Sequence, residues 1–165
     1  MIILGIDPGY EKMGVAVIDK NPKTKKEICV FSDCIKTDRA FPHAERLLKI
    51  SNELQIIISK YHPDSLGIET LFFTNNQKTA VKVAEARGVA LTEAARAGLA
   101  IYEFSPLEIK IAVTGYGRSD KKQVISMVEK LVSLQKPIKE DDEYDAIAAA
   151  LTCSASAITR DIRRL

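Results

Sequence analysis

Residues 2–9, Ile-Ile-Leu-Gly-Ile-Asp-Pro-Gly, constrain this chain more than any other stretch. Apolar side chains at nearly every position of 2–6 describe a strand covered on both faces. Pro8 and Gly9 end it, because proline gives no ladder hydrogen bond and glycine permits a tight turn. Asp7 is thereby left where a central strand leaves the core. A carboxylate there is costly to bury unless a cation compensates it, and a metal ion is the leading candidate.

Further along, residues 13–18 read as a second strand joined by a hairpin, and 27–36 as a third after a polar turn containing Asn21 and Pro22. Leu47, Leu48, Ile50, Leu54, Ile57 and Ile58 recur at helical spacings, so 41–61 reads as a helix that Pro63 ends. Residues 64–69 form a short strand that again ends in an acid, Glu69. A long Ala- and Val-rich helix follows over 75–98, then a fifth strand over 100–104 and a short helix opened by Pro106. Residues 113–119, with Gly115 and Gly117, read as a loop, 121–134 as an amphipathic helix, 136–141 as a charged linker and 142–158 as a final helix. Strands first, then strands alternating with helices, predict one α/β domain over 1–165, with a five-stranded mixed sheet flanked by helices.

Composition excludes more than it selects. The 24 Lys and Arg against 22 Asp and Glu leave a net charge of +2, so bulk charge does not argue for nucleic acid. Cys29, Cys34 and Cys153 form no metal-binding pair and read as small buried hydrophobes in a reducing compartment. His43 and His62 stand apart and read as surface or capping residues. No basic leader precedes the first strand, and no apolar run reaches the roughly 20 residues that span a bilayer. The expectation is a soluble, cytoplasmic protein.

The chemistry concentrates in acids. Glu140-Asp141-Asp142-Glu143-Tyr144-Asp145 runs into an alanine-rich helix, and Asp142 and Asp145, three apart, share a helix face that continues to Ala149. A small residue there permits close approach to a sheet. Alone, such acids read as helix-capping or solvated charges. Joined by Asp7 and Glu69 at two strand ends, they read as a site for hard divalent cations, Mg²⁺ or Mn²⁺, because no His or Cys accompanies them.

With these residues the chain resembles the RuvC family of Holliday-junction resolvases, within the ribonuclease H-like superfamily. The resemblance rests on Gly5-Ile6-Asp7-Pro8-Gly9, Cys34-Ile35-Lys36-Thr37, Ile68-Glu69-Thr70-Leu71-Phe72, Ala86-Arg87-Gly88-Val89-Ala90 and Asp142-x-x-Asp145-Ala146-Ile147-Ala148. It implies a ribonuclease H-like fold, with three antiparallel strands followed by two parallel ones. Asp7, Glu69, Asp142 and Asp145 are similar to the family's four catalytic carboxylates, holding two Mg²⁺ per subunit with Mn²⁺ able to substitute. Asp7 would touch both ions, Glu69 would complete one sphere and the two later acids the other. Asp141 could compete with Asp142 for this role. In-line hydrolysis would leave a 5′ phosphate and a 3′ hydroxyl.

Other positions follow from the same resemblance. Lys110 and Lys121 match functionally important lysines near the scissile phosphate, with Lys121 placed among the catalytic residues. Phe72 matches an aromatic that stacks at the junction centre, against the plainer reading of a core plug; Phe73 reads as the core residue. Lys78 and Lys82 on one loop, and Arg118, Lys121 and Lys122 on another, read as phosphate contacts. Arg160, Arg163 and Arg164 either add to these or form a solvated end. Ala80, Ala84, Gly88, Leu91 and Ala95 form a stripe of small residues that packs into the core or across the two-fold axis of a homodimer. Tyr10, where many relatives carry a small hydroxyl residue, reads as a minor departure. The implied partner is four-way junction DNA; a branch-migration motor complex is left open.

Three other readings compete. Another ribonuclease H-like nuclease, acting on branched DNA or RNA–DNA hybrids, would keep the same acids. An actin- or sugar-kinase-like ATP-binding protein also begins with a strand, an acid and a glycine turn, but needs a second domain. A catalytically dead junction scaffold would have no need of four converging acids.

Overall fold

The computed structural model describes residues 1–71 and 77–162, with backbone alone for 77–79 and 157–162. The first strand, β1 (Ile2–Asp7), sits near the middle of a sheet and is buried on both faces: Ile3, Leu4 and Ile6 are fully covered. Its neighbours are β2 (Lys12–Lys20), antiparallel, and β4 (Ser65–Glu69), parallel. Beyond β2 lies antiparallel β3 (Glu27–Lys36), and beyond β4 lies parallel β5 (Ala100–Phe104).

The expected five strands are joined by a sixth. Residues Ser133–Leu134 (β6) pair in parallel with Ile28 and Cys29 of β3, giving the order β5-β4-β1-β2-β3-β6. Sequence periodicity hides this strand. Val124 and Val128 repeat at four, and Val132 continues the pattern as if the helix ran on. Instead the helix, α4 (Lys121–Leu131), stops at Val132, which takes up extended backbone. A two-residue strand is too short to show a period of its own.

Two layers of helix cover the sheet. On one face α1 (His43–Tyr61) and α2 (Gln77–Arg96) bury Ile50, Leu54, Ala86, Ala90 and Ala94 against Leu4, Ile6, Val15 and Val17. On the other, α3 (Pro106–Thr114), α4 and α5 (Asp141–Ile162) pack on Ile3, Ala16 and Ile18. α3 and α4 each begin with a capping box, Ser105 with Glu108 and Asp120 with Gln123. The α3 end lies at Thr114, inside the expected loop, and α5 begins at Asp141 rather than Asp142. None of the described helices is long and apolar enough to cross a membrane.

The alanines of α5 explain its position. Ala146 through Ala150 are all buried, and the helix lies so close to β1 that a Cβ added to Gly5 would meet the Ala150 Cβ at 2.7 Å. The three cysteines are buried and none of them forms a disulfide. His62 caps α1 in a left-handed conformation, donating its N–H to the Ile58 carbonyl, as the capping reading expects.

Candidate active site

Three segments distant in the chain bring four carboxylates to the carboxyl-terminal edge of the parallel strands. Asp7 ends β1 and Glu69 ends β4; the strands run parallel with Ile6 opposite Ile68, so the acids emerge side by side. Asp142 and Asp145 lie in the first two turns of α5. Asp142 is laid over β2, where Gly14 faces Asp7 across the ladder.

The carboxylates repel one another. Burial, then Asp145, Glu69 and Asp142 in that order, push the Asp7 carboxyl up from 3.8 to about 8. Burial and Asp145 also raise Glu69, while Lys110 opposes the shift. Asp145 is raised chiefly by burial, with Lys121 working against it. Such a group of acid oxygens, without nitrogen or sulfur donors, fits a hard divalent cation. Among the described residues no three His, Cys, Asp or Glu side chains already converge on one ligating point.

Lys121, the first residue of α4, places its ammonium 3.1 Å from Asp145 Oδ2 and 3.3 Å from Asp141 Oδ2. Of the expected phosphate contacts, Lys110 and Lys121 therefore join the carboxylates. Arg118 and Lys122 are exposed nearby in sequence, and Lys122 belongs to α4 rather than to a loop. Lys82 sits on α2, with its ammonium 5.4 Å from the Tyr10 ring. Lys78 is likewise on α2, but its side chain lies outside the described residues, as do Phe72, Phe73 and the side chains of Arg160, Arg163 and Arg164.

Several residues that matter here were given no structural role by the sequence. Arg87 of α2 donates from Nε to the Glu69 carbonyl at 3.0 Å and pairs with Glu103, holding the end of β4. Glu143, between the two α5 acids, is 1% exposed and faces away from them. It accepts from Ser32 Oγ at 2.6 Å, from Lys136 at 2.9 Å and from the Lys139 N–H at 3.1 Å, fixing the linker that leads into α5. Tyr10, the residue that departs from the family pattern, is packed on several sides. Its ring is buried under the Arg46 guanidinium at 3.7 Å, its hydroxyl meets His43 Nδ1 at 2.7 Å, and its carbonyl accepts from Thr37 Oγ1 at 2.6 Å. It braces the turn that follows Asp7. Partners distributed over β3, α1 and α2 were invisible to a local reading.

Comparison with known proteins gives one answer. Residues 3–153 match the family described as crossover junction endodeoxyribonuclease RuvC. A protein of that description from Desulfitobacterium hafniense is 44% identical over 158 residues, covering 96% of this chain and 94% of the relative. One from Thermosipho melanesiensis is 43% identical over 150 residues, covering 91% and 94%. Thermus thermophilus RuvC in complex with a Holliday junction substrate superposes with a TM-score of 0.89 at 29% identity, over 97% of this chain and 96% of that one. The yeast mitochondrial resolvase Ydc2, 13% identical over 95% of this chain and 82% of that one with a TM-score of 0.63, shares the fold.

Proposed function

Because this chain belongs to the RuvC family of crossover junction endodeoxyribonucleases, and is therefore a Holliday junction resolvase, we propose that Asp7, Glu69, Asp142 and Asp145 carry its cleavage chemistry. One observation bears most of the weight: acids from β1, β4 and α5 meet at a single sheet edge, where burial and then their mutual repulsion lift Asp7 to about 8. A site that penalises its own negative charge is built for a cation.

Asp7, Glu69, Asp142 and Asp145 would hold two Mg²⁺, for which Mn²⁺ would substitute, since their donors are all carboxylate oxygens. Such ions would supply Lewis-acid activation of water and charge stabilisation at the 3′ oxygen for an in-line hydrolysis that leaves a 5′ phosphate. The chain's own part is placement. The β1–β4 ladder fixes Asp7 beside Glu69, close packing of α5 fixes Asp142, and Lys110 and Lys121 offer positive charge to the phosphate that enters between them. Asp142 is favoured over Asp141 as a ligand, because Asp142 lies over Gly14 beside Asp7 while Asp141 reaches toward α4.

Lys78, Lys82, Arg118 and Lys122 extend the phosphate track. Phe72, three residues past Glu69, wedges between bases at the junction centre. The molecule acts as a homodimer through α2. Support comes from Gly88 and Ala95, which are exposed with open space above Gly88, while Ala86, Ala90 and Ala94 take the core face. Ala80, Ala84 and Leu91 are half-buried, with Leu91 against the core, so Gly88 and Ala95 are the part of the stripe that a second copy can approach.

Cleavage of a synthetic four-way junction, an RNA–DNA hybrid and a plain duplex, side by side in Mg²⁺, tests this function. Paired nicks in the junction with the other two intact are expected. Cleavage of the hybrid with the junction left whole would overturn it.

A further inference from the structure

We infer that Asp141 is a positioning residue for Lys121, holding the lysine ammonium at the rim of the site so that Asp145 is released to a divalent cation. The inference rests on the carboxylate site proposed above and assigns this chain's extra acid a part in it.

The geometry leaves the lysine two seats. Asp141 and Asp145 are four residues apart on one face of α5, and Lys121 Nζ lies between them at 3.3 and 3.1 Å. Its backbone has little freedom, since Asp120 caps α4 with Gln123 and Tyr144 of α5 donates to Glu129 of α4 at 2.7 Å. The two helices are latched, so only the ammonium can choose between carboxylates. A divalent ion on Asp145 and an ammonium 3.1 Å from its Oδ2 repel each other across one carboxylate. A cation arriving at Asp145 therefore favours the lysine's move to the other carboxylate.

Asp141 is where it goes. The Asp141 side chain is 68% exposed against 34% for Asp145, so the lysine held there stands at the opening, where a backbone phosphate can meet it. Without Asp141 the ammonium has Asp145 as its remaining seat and competes with the metal. An exposed ion pair is weak, so the expected bias is about threefold to fivefold, not orders of magnitude.

Calorimetric titration with Ca²⁺, which probes binding without turnover, resolves the roles in a double-mutant cycle. Asp141→Asn should weaken Ca²⁺ binding about threefold to fivefold, Lys121→Met should tighten it, and Asp141→Asn added to Lys121→Met should change it by less than about twofold, with Asp141→Glu restoring wild-type affinity. Equal weakening in both backgrounds would make Asp141 a direct ligand, and no effect in either would make it inert; each result overturns the inference. Acetylation of Lys121 in metal-free protein, followed by mass spectrometry, gives a readout that needs no metal site. Asp141→Asn should speed it about threefold, and an unchanged rate sinks the lysine assignment. Failure of wild-type protein to bind Ca²⁺, with the labelling difference intact, would instead contradict the metal reading.

Discussion

Gly14 leaves no room for a side chain beneath Asp142: a Cβ built on it would fall 2.6 Å from the Asp142 carbonyl carbon. Because Gly14 also faces Asp7 across the β1–β2 ladder, this one contact sets the start of α5 over the first acid. The sheet and the helix thus meet backbone to backbone at the place where their carboxylates must be brought together.

Gly14→Ala should push α5 outward. Overpacking of this kind costs about 1–3 kcal/mol, and displacement of an oriented group by about 1 Å costs up to about 10²-fold in rate. Denaturant unfolding should register the first and junction cleavage the second, with junction binding held within a few-fold. Wild-type turnover in the variant would mean that the contact does not set the geometry of the site.

The metal-free protein should lose stability as the pH rises. Asp7 holds its proton to about 8 when folded against 3.8 otherwise, and Glu69 and Asp145 shift the same way. A raised acid contributes most below its unfolded value and loses that contribution as the pH climbs through the folded one. Glu140, held down to about 2 by Lys12 and Lys36, acts below this window. In EDTA, Tm should therefore fall from pH 5 to pH 8.5. Asp7→Asn should flatten most of the fall, and Mg²⁺ should raise Tm most at the alkaline end. A flat profile shared by both proteins would contradict the charge crowding at Asp7.

Glu143→Gln should separate support from chemistry. Its carboxylate holds Ser32, Lys136 and the linker backbone, and poorly met buried donors cost about 1–3 kcal/mol. Unfolding by urea should show that loss, while cleavage per folded molecule stays within several-fold of wild type. Abolished cleavage with undiminished stability would instead place Glu143 in the reaction.

How much of this was legible beforehand depended on range. Asp7 and Glu69 could be read at strand ends because a chain-local signal, an apolar run halted by an acid and a turn, marks them. Asp142 and Asp145 were legible through helical spacing, and the alanines behind them through their size. Tyr10, Arg87 and Glu143 were not, because each acts through partners tens of residues away: Tyr10 through Thr37, His43 and Arg46, Arg87 through the Glu69 carbonyl, and Glu143 through Ser32. Strand β6 was missed for the opposite reason, since two residues continuing a helical pattern carry too little information to contradict it. The choice between Asp141 and Asp142 needed the direction of each side chain around α5, which adjacency in sequence cannot supply.

The central claim is that four acids form one cation-dependent cleavage site. It is tested most directly by single-turnover cleavage of a four-way junction in Mg²⁺ by Asp7→Asn, Glu69→Gln, Asp142→Asn and Asp145→Asn, with junction binding measured in Ca²⁺. Each variant should bind within a few-fold of wild type and lose at least about 10²–10³ in rate, the loss typical of removing one oriented electrostatic group. Wild-type turnover in Asp7→Asn, or in any two of the others, would contradict the account.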